Sequence, residues 1–215
     1  MTRMDGWIPP RWNALLGRLG CRLDALELLA ELDARYSSPS RFYHGWSHVL
    51  MCLRELDGVA QVLDEPVLVE AALWFHDAIY DTHGGANESL SAAWASCALG
   101  DLGVDAGRVA RVGELVRATD HTGPAPPGDV DAAFIRDIDL AILGAREADF
   151  AAYDRAIRTE YAHIEEGRYR RGRLAVLKAL AERDFIYLSE RYREALETRA
   201  RANLTAAIRL LELAD

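Results

Sequence analysis

The sequence predicts an all-α protein folded as a single domain over residues 1–215. Three observations carry this: apolar residues recur at helical spacing almost from end to end, no stretch keeps the alternation of a half-buried strand, and glycine and proline clusters fall between the periodic segments. A chain of 215 residues, half of them hydrophobic, can bury a sizeable core. No internal repeat, low-complexity tract or linker divides it.

In order, Trp12, Leu15, Leu16, Leu19, Leu23 and Leu26 form the first stripe, extended by Leu29 and Leu32, with Gly17 and Gly20 able to split it into two helices. Ser37-Ser38-Pro39-Ser40 is a turn. The next helix runs through Val49, Leu50, Leu53 and Leu56. His44 and His48 precede or open it; four residues apart, they would share one helical face, although Gly45 leaves the helix start unsettled. The central segment starts with Asp64 as its cap and Pro66 in the first turn, then shows Val67, Leu68, Ala71, Ala72 and Phe75 at helical spacing. It ends in His76-Asp77. An apolar helix closed by a histidine and a carboxylate needs compensation for buried charge, and a metal ion would supply it.

The polar loop Asp81-Thr82-His83-Gly84-Gly85-Ala86 follows, with Asn87 and Glu88 as cap and first turn of a helix whose buried face is Leu90, Ala93, Trp94 and Cys97. Asp81 and Glu88 are candidate proton carriers, and Asn87, beside them, is a candidate substrate contact. From Asp105 a further helix uses Val109, Val112, Leu115 and Val116; His121 at its end is another candidate substrate contact, before a long loop containing Pro124, Pro126 and Pro127. In Ala132–Gly144 two carboxylates, Asp137 and Asp139, interrupt an apolar run and diverge by about 200° on a helix. Apolar neighbours on both sides of Asp139 imply burial, with a metal ion as its partner or else Arg136 or Arg158. Tyr153, Ile157, Tyr161 and Ile164 form the next stripe; Gly167 and Gly172 precede Leu174, Leu177 and Leu180; and Leu196, Ala200, Leu204, Ile208 and Leu211 line the last helix. Arg158 and Arg173 are the arginines to test for phosphate contact.

Composition narrows the function. A net charge of −9 with scattered basic residues argues against a nucleic-acid polymer as partner. No apolar stretch approaches the roughly 18 residues of a membrane span, and no signal-peptide core opens the chain. Three widely spaced cysteines, Cys21, Cys52 and Cys97, suit a reducing cytoplasm rather than a disulfide framework or a thiolate zinc site.

The order His48, His76-Asp77, Asp139 resembles the H…HD…D pattern of the HD superfamily of metal-dependent phosphohydrolases. Tyr43-His44-Gly45-Trp46-Ser47-His48 is similar to the Tyr-His-x-x-x-His signature of cyclic-nucleotide phosphodiesterases, distant members of that superfamily. More of the chain resembles a bacterial family of predicted HD-type phosphohydrolases of unassigned substrate: Trp-Phe-His-Asp-Ala-Ile-Tyr-Asp at 74–81, Asn-Glu-Ser-Leu-Ser-Ala at 87–92 and Asp-Ile-Asp-Leu-Ala-Ile-Leu-Gly at 137–144. The resemblance implies an all-helical HD-type domain, His48, His76, Asp77 and Asp139 as metal ligands, and His44 as proton donor. One divalent ion is implied, since the extra histidines with which two-metal members hold a second ion are mostly missing here, only His83 and His121 remaining near the motif. A mixed N/O donor set is compatible with Mn²⁺, Fe²⁺, Co²⁺, Ni²⁺, Zn²⁺ or Mg²⁺.

The activity implied is hydrolysis of a phosphate ester or anhydride in a small molecule, such as a nucleotide, by metal-activated water, with protonation of the leaving oxygen by a histidine. The alternatives are a non-catalytic nucleotide- or metal-binding sensor of the same fold and a di-iron oxygenase, which needs more histidine ligands. The expected partner is a small phosphorylated molecule, and homodimerisation stays open.

Overall fold

In the computed structural model, which describes residues 6–21, 25–123 and 127–213, every regular element is helical and no strand occurs among the described residues. Nor is any of these helices long and apolar enough to cross a membrane. The chain divides into two compact units, Met1–Ile135 and Arg136–Asp215.

The first unit contains α1 (Ile8–Leu19), α2 (Leu26–Tyr36), α3 (Trp46–Val59), a 3₁₀ turn at Ala60–Val62, α4 (Pro66–Phe75), α5 (Asn87–Asp101), α6 (Ala106–Ala118) and the start of α7 (Val130–Asp139). Helix α4 is apolar on nearly all sides, and every residue from Leu68 to Phe75 is buried. Such a helix has to be enclosed. It packs against α1, α3, α5 and α6, and aromatic side chains meet at its C-terminal end. The Trp74 ring lies 5.1 Å from that of Trp12 and 5.7 Å from Trp46, while Phe75 lies 5.3 Å from Trp94. Aromatic pairs at these separations add about 0.5–1.5 kcal/mol each beyond their buried area. The one charge within α4, Glu70, is held by Arg11 and Arg18 from α1.

Gly20, at φ 81°, ends α1 in the left-handed conformation that glycine adopts without strain, whereas Gly17 continues the helix. Leu23 falls outside the described residues, as do Pro124 and Pro126. Asp64, expected to cap α4, does not do so. Its backbone N–H and that of Glu65 donate to the Asp131 carboxylate, which arrives from the first turn of α7 and fixes the chain as it enters the helix. Similarly, Asn87 is the first residue of α5 rather than its cap, and its amide exchanges hydrogen bonds with the backbone of Asp81.

The second unit holds the end of α7, a 3₁₀ segment at Leu140–Gly144, α8 (Glu147–Glu160), α9 (Glu166–Ala181) and α10 (Glu190–Leu213). Gly167 and Gly172 lie inside α9 instead of preceding it, because the Glu165 side chain caps the helix through the N–H groups of Gly167 and Arg168. The 3₁₀ segment is fastened to α10: Asn203 donates to the carbonyls of Leu143 and Ala145, and Arg199 to that of Gly144. A Cβ on Gly144 would stand 2.6 Å from that of Leu196, so only glycine permits this approach.

Of the paired carboxylates, Asp137 is the fully buried one. It accepts from the N–H groups of Leu188 and Ser189 and from the Ser189 hydroxyl at 2.6–2.7 Å, fixing the chain where it enters α10. Asp139, expected to be buried, is only half-buried at the last position of α7.

Asp137→Ala leaves three donors unsatisfied and should cost about 2–4 kcal/mol in urea unfolding. Asp129 is gripped by both terminal nitrogens of Arg111 at 2.7 Å, and this hydrogen bonding, with charge attraction, holds its carboxyl below the usual value against the opposing effect of burial. Because the folded-state value is the lower one, the contribution is complete above the unfolded value of about 3.9 and disappears as pH falls through the folded one. Asp129→Asn should therefore flatten the acid limb of thermal stability below about pH 4.

Candidate metal centre

Three structural features bring the central histidines together. Pro66 and the Asp131 carboxylate start α4 in a fixed register, so the helix delivers His76 and Asp77 immediately after Phe75. On α3, His48 is the third residue, in a turn that begins at Gly45. Gly45 lies so close to the end of α2 that a Cβ there would sit 2.8 Å from the Tyr36 carbonyl oxygen. His44 therefore lies before the helix, not on a helical face shared with His48.

The His48 and His76 Nε2 atoms are 3.0 Å apart, and both residues are almost fully buried. Asp77 Oδ2 lies 3.2 Å from His76 Nε2 and 3.4 Å from His48 Nε2, with Asp77 14% exposed. His76 Nδ1 faces the Leu73 carbonyl at 2.8 Å. A carbonyl only accepts, so Nδ1 carries the proton and Nε2 presents a lone pair, the usual way a backbone group sets the tautomer of a ligating histidine.

The triangle of 3.0, 3.2 and 3.4 Å fits three donors on one ion. Bonds of about 2.1 Å place adjacent octahedral donors roughly 3.0 Å apart, and bonds of about 2.0 Å place tetrahedral donors roughly 3.3 Å apart. Cys52, one turn beyond His48, joins the group: its sulfur and the two histidine nitrogens lie within 4.8 Å of one another, a buried cluster that can hold a metal ion. Its sulfur is 3.8 Å from each nitrogen of the His48 ring.

Burial of the Asp77 carboxyl favours its neutral form, but the surrounding imidazoles of His76, His44 and His48 outweigh it, holding the group well below the usual carboxylate range. Asp77 is thus an anion. Glu88 behaves oppositely: burial first, then the negative charges of Asp120 and Asp77, push its carboxyl up, with His121 opposing. The first turn of α5 and the end of α6 therefore lie within electrostatic reach of Asp77. Asp81 is exposed, and its Oδ1 accepts from the His83 backbone N–H while lying 3.2 Å from the His83 ring.

His44 stacks on Tyr80, with ring centroids 4.0 Å apart and planes 22° from parallel, and its ring lies 5.8 Å from that of His48. Arg41 carried no role in the sequence pattern, yet it donates to the carbonyls of His44, Asp77 and Ala78. No helical periodicity includes Arg41, so no sequence signal marked it. Cys52 was legible in principle, since a cysteine four residues after His48 shares its helical face.

In the second unit, Arg158 is paired with Glu166 and donates to the Tyr161 carbonyl, and Arg173 is paired with Asp154. Both arginines are engaged by partners within their own unit.

Compared with known proteins, the chain matches no family model, no curated protein and no solved structure.

Gly45→Ala should force Tyr36 and the His44 segment apart, cost about 1–3 kcal/mol, and weaken metal binding through the displaced His48. Thermal denaturation and Zn²⁺ titration of the same protein measure the two effects.

Proposed function

We propose that the protein hydrolyses a phosphate ester or anhydride of a small molecule, using one divalent metal ion held by His48, His76 and Asp77. Asp139 is included as a fourth ligand from the sequence pattern. The observation that carries this reading is the buried triangle of His48 Nε2, His76 Nε2 and Asp77 Oδ2, whose edges suit a single cation. A bound divalent ion supplies Lewis-acid activation of water and of a phosphoryl oxygen.

The protein's own groups divide the remaining work. The Leu73 carbonyl holds the His76 tautomer, and Asp77 remains ionised to balance cationic charge. His44 is the candidate proton donor to the leaving oxygen, held by its stack on Tyr80. Glu88, which has a raised carboxyl pKa and is half-buried, is a candidate second proton carrier.

In a panel of phosphate esters and nucleotides with Mn²⁺ or Mg²⁺, the wild-type protein should turn over at least one substrate. Metal binding without turnover on any member would leave a sensor. His76→Ala and Asp77→Ala should lose retained metal by elemental analysis; wild-type metal content in His76→Ala would sink the assignment. His44→Ala should retain metal and lose about 10²–10⁴-fold in turnover.

A further inference from the structure

Arg41 occupies the seam between the two segments that the proposed chemistry has to align. One terminal nitrogen donates to the His44 carbonyl at 3.0 Å and also to the Asp77 carbonyl; the other donates to the Ala78 carbonyl at 2.9 Å. The guanidinium carbon also lies 5.3 Å from the centroid of the Tyr36 ring and 5.8 Å from that of Tyr80, the ring stacked on His44. Tyr36 in turn donates its hydroxyl to the Trp74 carbonyl near the end of α4.

We infer that Arg41 is a positioning residue: it fixes the proton donor His44 against the ligand-bearing turn Asp77-Ala78, and Tyr80 is the surface against which the imidazole is aligned. This rests on the phosphohydrolase reading for its catalytic consequence, but not for its geometry. The two ends of the clamp differ in their other supports. Asp77 directly follows α4, whose residues are buried on almost every side. His44 lies in an irregular stretch between α2 and α3. Loss of the clamp should therefore displace His44 more than the ligands. Lysine cannot replace arginine here, because a single ammonium lacks the planar fork that spans three carbonyls.

The test uses Arg41→Lys in the full chain, alone and combined with His44→Ala. The first readout is the imidazole Cε1–H resonance of His44 in the metal-free protein, one of six histidines, identified by its disappearance in His44→Ala. In the wild type the facing Tyr80 ring should shift it upfield; in Arg41→Lys it should move toward the position of an exposed histidine. The second readout is kinetic. Arg41→Lys should lower kcat by about 10–100-fold, the scale of a small misplacement of a reacting group, with KM and Zn²⁺ affinity within about threefold of the wild type. In the His44→Ala background the same substitution should cost almost nothing, since two residues acting through one step are not additive.

An unshifted His44 resonance in Arg41→Lys, or a full additional loss of kcat in the His44→Ala background, would overturn the inference. So would an Arg41→Lys protein that fails to fold, which would make the residue purely structural. If the wild type turns over no phosphate compound, the proposed function fails while the resonance still decides the clamp.

Discussion

Two imidazole nitrogens 3.0 Å apart, buried and within 3.4 Å of a carboxylate oxygen, impose the strongest constraint on this protein. Lone pairs at that distance repel unless a proton or a cation lies between them. With the His76 tautomer set by the Leu73 carbonyl, the proton for such a bridge has to come from His48. A hydrogen bond between the rings satisfies that pair, but it does not explain why a carboxylate is brought to the same point. A cation satisfies all three.

The contrast with Glu70 sharpens the point. Glu70 and Asp77 lie seven residues apart, at the middle and just beyond the end of the same buried segment, and each brings a negative charge out of water. Glu70 is neutralised by Arg11 at 2.7 Å and by Arg18, the usual remedy for a buried carboxylate. At Asp77 the arginine that arrives, Arg41, donates to the backbone carbonyl. The Asp77 carboxylate is left facing imidazoles, which ligate metals when neutral. One carboxylate is closed by arginine and the other faces two imidazole nitrogens.

Much of this was legible in the sequence. The apolar stripe of Val67–Phe75 and Pro66 located α4, and the abrupt change to His76-Asp77 located its end, because helix period and helix termination are local properties. Residues whose roles depend on remote partners were not legible in the same way. Asp131 holds the backbone N–H groups of Asp64 and Glu65, just ahead of α4, from 67 and 66 residues further along the chain. Asp137 and Asp139 look alike in the sequence, yet three donors near Ser189 make the first a buried structural acceptor. Gly167 and Gly172 suggested a break before α9, but the Glu165 cap starts the helix ahead of both. Arg41 escaped notice because its bonds go to main-chain carbonyls, which carry no residue identity.

The position of Cys52 bears on which ions the site would favour. A thiolate in the donor set would bias it toward zinc, cuprous copper or iron–sulfur chemistry. The sulfur lies 3.8 Å from both nitrogens of the His48 ring and close enough to His76 to share an ion with the two imidazoles. Tyr43 lies against the same ring, with centroids 4.8 Å apart. With that ring and the sulfur beside it, His48 has its Nε2 near His76 and Asp77, so two nitrogens, one oxygen and the Cys52 sulfur are the donors gathered around this point. The nitrogen and oxygen donors alone would suit manganese, iron, cobalt, nickel or zinc, whereas a Cys52 thiolate on the same ion would move the preference toward zinc or another soft metal, so the protonation state of that sulfur would set the selectivity.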